Sequence, residues 1–144
     1  MHKRTQIRQQ IATTVTGLTT TGSNVFTSKV YNLDPKQLPC LTVYTNADSV
    51  TEYMMSVPRT QKRTLNVLIK AVVGLSDDVD VLIDTICEEV ETAMAGNLQL
   101  SGLVHSLYLQ ATDISYQSEG DRPYGMADIT YEVGYTVSEN QPGG

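Results

Sequence analysis

The stretch that decides the fold is Arg63-Thr64-Leu65-Asn66-Val67-Leu68-Ile69-Lys70-Ala71-Val72-Val73. Leu65, Val67, Ile69, Ala71 and Val73 alternate as one unbroken apolar row, which is the period of a β-strand. Leu68 and Val72 add apolar area to the opposite row. A strand apolar on both sides sits centrally in its sheet, so this segment predicts the middle of a sheet with chain on either side.

Downstream, Val79, Leu82, Ile83, Ile86 and Val90 share one face at helical spacing, extended by Ala93 or Met94. Ser76 is placed to cap this helix, with Asp77 and Asp78 in its first turn where the macrodipole favours anions. Gly96-Asn97 stops it. From Leu103 the chain alternates again through Leu107, Leu109 and Ala111, then changes phase near Thr112-Asp113, which predicts a bulge. Gly120 to Gly125 is dense in turn chemistry. Ala127, Ile129, Tyr131, Val133, Tyr135 and Val137 then alternate with polar residues, predicting an antiparallel hairpin with one buried face. Residues 140–144 are expected to be a disordered tail.

Upstream, Ile7, Ile11, Val15 and Leu18 form one face of an opening helix, with Thr13, Thr14 and Thr16 weakening its last turn. Thr19 to Asn24 reads as a turn. Val25 to Leu33 and Leu38 to Tyr44 read as strands, the first stopped by Asp34-Pro35. Between Asn46 and Lys62 the apolar residues hold no period, and a long irregular loop or hairpin is expected. The whole predicts one domain over 1–144, of class α+β: a mixed, largely antiparallel sheet of about five strands with two helices packed on one face.

The residue inventory excludes much. A net charge of −6 and a pI near 4.7 oppose a dedicated nucleic-acid binder, which concentrates Lys and Arg to displace phosphate counterions. Cys40 and Cys87 lack the spacing of a disulfide framework or zinc site and read as small buried residues. His2 is placed at a loose terminus and His105 at a sheet margin; two histidines do not make a zinc site. Phosphate loops are absent. Asp77, Asp78, Asp80, Asp84, Glu88 and Glu91 invite a cation reading, but acids spread along a helix lack the loop geometry of a calcium site and read as a solvated face. No active site assembles, and no cofactor or metal is expected.

The Glu52 to Arg63 segment is the candidate interaction surface. Tyr53, Met54 and Met55 beside Arg59, Lys62 and Arg63 suit an adaptable contact, since Met side chains fit irregular partners. The competing reading is an edge strand whose Tyr53, Met54 and Met55 pack inward.

In order and spacing, several pieces resemble the tail terminators of long-tailed bacteriophages, the group typified by the lambda minor tail protein U. They are the opening helix (Arg4, Ile7, Ile11), LPCLTVY at 38–44, RTLNVLIKAVV at 63–73, DDVDVLIDTICEEVETAM at 77–94 leading into LQLSGLV, and GDRPYGMADITYEVGY at 120–135. The resemblance implies a virion structural protein, made in the host cytoplasm, that forms a homohexameric ring at the head-proximal end of the tail. The ring stops tail-tube polymerisation and offers its other face to the head-completion or connector protein. Phage DNA would traverse the lumen without specific binding, and the six acids from Asp77 to Glu91 are candidates to line it. Another head–tail joining ring protein, or from a different class a small α+β ligand-binding domain or enzyme, are the alternatives.

Overall fold

A computed structural model describes residues 1–27, 39–55, 57–74, 78–117 and 124–143. The elements are α1 (Lys3–Thr14), β1 (Val25–Phe26), β2 (Cys40–Tyr53), β3 (Thr60–Gly74), α2 (Val79–Ala95), β4 (Ser106–Gln117) and β5 (Tyr124–Ser138). The five strands form one sheet in the order β1-β2-β3-β5-β4. Only the short β1–β2 pairing is parallel; β2–β3, β3–β5 and β5–β4 are antiparallel. The α+β class with two helices and a mixed, mostly antiparallel sheet is therefore as predicted, and β3 is its middle strand.

The alternation in β3 and β5 explains the core. Leu65, Val67, Ile69, Ala71 and Val73 are buried beside Val133, Tyr131, Ile129, Ala127 and Gly125 of β5. Leu41 and Val43 of β2 extend the same face, and α1 and α2 cover it with Ile7, Ile11, Val15 and Ile83, Ile86, Val90, Met94. Each fully buried aliphatic side chain of this kind contributes roughly 1.5–3 kcal/mol over exposure.

Helix α1 is capped by His2, whose Nδ1 accepts from the Arg4 N–H at 3.1 Å. The hydroxyls of Thr13, Thr14 and Thr16 turn back to the carbonyls of Gln9, Gln10 and Ala12, and the helix ends at Thr14, shorter than the apolar spacing implied. Gly17 (φ +87°) and Gly22 (φ +58°) close the following turn in the left-handed region.

Several expectations are revised. The stretch 46–62, expected as a long irregular loop or hairpin, falls within the β2–β3 pairing, with β2 running to Tyr53 and β3 starting at Thr60. Its periodicity is hidden because β2 shifts register twice, between Thr45 and Ala47 and between Val50 and Glu52, and each shift inverts the alternation. Helix α2 starts at Val79, so Asp78 is its N-cap rather than a first-turn residue, and it makes no side-chain capping bond. Ser76 and Asp77 lie outside the described residues, as do residues 28–33 of the strand expected from Val25 and the turn at 120–123. The bulge in β4 falls between Leu109 and Ala111, earlier than the phase change suggested. Residues 138–143 do not trail free: Ser138 pairs with Gln141, the Lys3 N–H donates to the Pro142 carbonyl at 2.9 Å, and Gln6 Nε2 donates to the Gly143 carbonyl at 2.8 Å. Nor is His2 loose, being held as the α1 cap.

Candidate functional site

The β2–β3 hairpin carries its most exposed apolar side chains at the tip. Met55 is 99% and Val57 93% exposed, with Tyr53 and Met54 about half exposed. The competing reading, in which Tyr53, Met54 and Met55 pack inward, does not hold. Water disfavours apolar surface of this kind, which makes the tip a candidate contact.

The base of the tip is stiff. The Met54 N–H donates to the Thr60 carbonyl at 2.8 Å. Arg59 stacks its guanidinium over the Tyr53 ring, 4.9 Å from the centroid, and pairs through Nε with Glu139 Oε2 at 3.1 Å. The Arg59 N–H also donates to Glu139. Gln61 donates to the Tyr53 hydroxyl at 3.3 Å. The paired backbone reaches Tyr53 and Gln61, so most of the candidate surface over Glu52 to Arg63 is carried on paired strands.

Of the other residues singled out there, Glu52 and Lys62 face each other across the strands at 3.6 Å on the surface. Arg63 is different. Its side chain is largely buried and spans Gln61 Oε1 (2.7 Å from Nη2) and Asp48 Oδ2 (3.4 Å from Nη1). It braces the hairpin internally and is not presented to a partner.

Asp48 is the centre of that brace. Its Oδ2 receives Arg4 Nη1 at 3.3 Å, Arg63 Nη1 at 3.4 Å and the Tyr135 hydroxyl at 2.6 Å. One carboxylate thus ties α1, the hairpin and β5. His2 Nε2 lies 3.4 Å from Arg63 Nη1. Partial burial, then the nearby Arg4 and Arg63 charges, lower the His2 pKa from its ordinary value. In the sequence Asp48 falls in the stretch without a period and His2 at the terminus. No local signal betrays the cluster, because its members lie far apart in the chain.

The acids of α2 form its outer surface. Asp78, Asp80, Asp84, Glu88 and Glu91 are exposed, whereas Glu89 turns inward to the Thr20 N–H at 2.9 Å. Asp80 accepts from the Tyr116 hydroxyl of β4, and this bond is the main cause of the raised Tyr116 pKa. Beside this row β4 is open. Its Tyr108, Leu109, Ile114 and Tyr116 are exposed; for Leu109 the alternation suggested burial, but α2 covers β3 and β5 and stops short of the edge strand.

Catalytic chemistry finds little here. Among the described residues no group of three or more His, Cys, Asp or Glu is arranged to hold a metal. Cys40 and Cys87 are free and buried, and burial pushes the Cys40 thiol up to about 11, away from reactivity. His105 precedes β4, its N–H donating to the Gly134 carbonyl at 3.0 Å. No helix among the described residues is long and apolar enough to cross a membrane.

An open sheet edge, a braced apolar tip and an acidic helix face are the candidate surfaces for contact with other macromolecules. The match to known families agrees: a model of the phage minor tail protein U family fits residues 2–135, and the chain belongs to that family. It is thus a structural component of a phage tail, and its place is in the virion. No curated protein matches the chain significantly.

Proposed function

We propose that this tail protein is a terminator: six copies close a ring on the finished tail tube, stop further subunits adding, and present the opposite face to the head connector. It acts without catalysis. The observation that carries this reading is the β2–β3 tip, where Met55 and Val57 stand almost wholly in solvent on a base fixed by Arg59 and Glu139. A rigid apolar projection loses little conformational entropy on docking, which suits a plug that must recognise one tube end.

Termination also requires that the capped end offer no new tube site, so the two ring faces must differ. Some of the α2 acids Asp78, Asp80, Asp84, Glu88 and Glu91 are proposed to face the channel, where like charge repels DNA phosphates and keeps the passing genome from adhering. A ring structure with all five on the outer rim would refute that placement.

The test of capping is tube growth. Purified protein is added to tubes elongating from tube subunits, and their lengths are read by electron microscopy. Wild type is expected to halt growth and leave a ring at one end. Met55→Ser/Val57→Ser is expected to remain folded and lose this effect. Unchanged growth with wild type would overturn the proposal.

A further inference from the structure

The described charges are separated along the sheet. From Asp78 to Gln117, covering α2 and β4, there are seven acids and no Lys or Arg. The described residues up to Gly74, covering α1 and the β2–β3 hairpin, hold seven Lys or Arg and two acids. Arg4, Arg59, Lys62, Arg63 and Lys70 are already paired with acids; because α1 packs on β2 while β4 is the far edge, the unpaired cations lie on the α1 side and the surplus acids on the β4 side. Lys3 and Arg8, on α1, have no ion-pair partner among the described residues, and Arg8 Nε is buried without a hydrogen-bond acceptor.

The acidic side is also an unprotected strand edge. β4 runs for 12 residues with no strand on its outer side among the described residues. Isolated edges are normally blunted by lysine, proline or tight bulges. Here β4 contains neither Lys nor Pro; a single bulge and Asp113 are its only interruptions. Toward the helices, Leu109, Ile114 and Tyr116 lie opposite Tyr131, Ala127 and Gly125 of β5 and stay about half exposed. The acids of α2 run alongside: Asp80 meets Tyr116, and Glu91 is an electrostatic neighbour of Tyr131. The result is an apolar ledge with an anionic rim.

We infer that this β4 ledge docks on the basic α1 and hairpin side of a second copy of the same chain. The charge distribution selects this arrangement. Two β4 edges brought together would oppose their acids, Asp113 included, whereas acidic edge against basic side is attractive and head-to-tail. A head-to-tail contact is the kind that propagates around a ring instead of stopping at a dimer. The sheets then follow one another around the ring with their helices on one common side. This contact rests on the ring reading above and specifies how its subunits join.

The experiment uses two variants of the full chain, one damaged on each side: Leu109→Asp/Ile114→Asp and Lys3→Glu/Arg8→Glu. Circular dichroism and thermal melts check folding, and Asp113→Lys repeats the edge test without touching an apolar residue. Sedimentation velocity measures assembly. Wild type is expected to form rings. Each variant alone should associate at least about tenfold more weakly, as expected when charges are opposed in an interface. Mixed one to one, the two should form a heterodimer through the one remaining good pair of surfaces, and no ring.

Rings from the β4 variant, a homodimer of Lys3→Glu/Arg8→Glu, or a mixture that stays monomeric would each overturn the inference. So would a wild type that stays monomeric with and without tubes. Wild-type rings that ignore tubes would instead overturn the capping role and leave the contact standing.

Discussion

The Tyr135 hydroxyl donates to Asp48 Oδ2 at 2.6 Å, on the same oxygen that Arg4 and Arg63 approach from two other elements. Asp48 is buried, and its second oxygen, Oδ1, has no hydrogen-bond partner. Neutralising this carboxylate would leave two guanidinium groups facing one another. Asp48→Asn is expected to cost about 2–4 kcal/mol in urea unfolding, because Arg63 is buried and loses its counter-charge. Arg4→Ala removes a partner that is itself half exposed and should cost no more than about 1 kcal/mol. Equal effects would contradict this ranking.

Tyr135 also sets an alkaline limit. Burial, then the Asp48 hydrogen bond, push its pKa up to about 12 even with Arg63 nearby, and burial pushes Tyr131 up to about 12 as well. In the unfolded chain tyrosine titrates near ~10. A folded pKa above the unfolded one gives stability that is complete below about pH 10 and is lost as pH rises toward 12. Tyrosinate absorbance should therefore appear together with loss of the fold in that window. Tyr135→Phe should weaken the pH dependence there while costing roughly 1–2 kcal/mol at neutral pH from the lost bond to Asp48.

His2 acts at the opposite end of the scale. Its pKa is lowered in the folded protein, so the unfolded chain binds the proton more readily. The contribution is present above the unfolded value of ~6.5 and is lost as pH falls from there toward the folded pKa. His2→Asn retains an acceptor for the α1 cap without titrating. Across mildly acidic pH the wild-type melting temperature should fall more steeply than that of His2→Asn. Parallel curves would mean that His2 is not a source of acid sensitivity.

Gly134 is the tighter of the two β5 glycines. A Cβ there would lie 2.3 Å from Ser106 Oγ and 2.8 Å from His105 Cε1. Gly134→Ala is expected to destabilise by about 1–3 kcal/mol through overpacking. Since the closest atom is the end of a serine side chain, Ser106→Ala should recover part of the loss, read as a coupling energy in a double-mutant cycle. Additivity of the two changes would show that the crowding comes from the backbone or from His105.

Periodicity reveals what is local and regular. Both helices, the central β3 and the Ala127 to Val137 alternation are visible because each buries one face along its length. Two things are hidden. The first is the hairpin from Asn46 onward, since bulges scramble its pattern and its far half buries little. The second is the Asp48 cluster, whose members come from α1, β2, β3 and β5 and meet only in three dimensions. The composition of 52–63 marks it as a candidate surface, but composition does not separate outward Met55 from inward Arg63. The exposure of β4 is also hidden, because its apolar residues alternate like those of a covered strand, and only the reach of α2 leaves them bare.

The register shifts of β2 have a consequence best stated as parity. Up to Thr45 the odd-numbered residues of β2 point toward the helices; the extra residue Asn46 reverses this, so Asp48, opposite Leu65, points inward. The extra residue Thr51 reverses it again, which puts Tyr53 on the helix side opposite Gln61. Loss of one residue at Asn46 would therefore turn Asp48 toward the opposite face, away from Arg4 and Tyr135, although no member of the cluster had changed. In this strand a change in residue count is more disruptive than most changes in residue identity, and relatives that keep the cluster should keep the odd–even count between Thr45 and Tyr53.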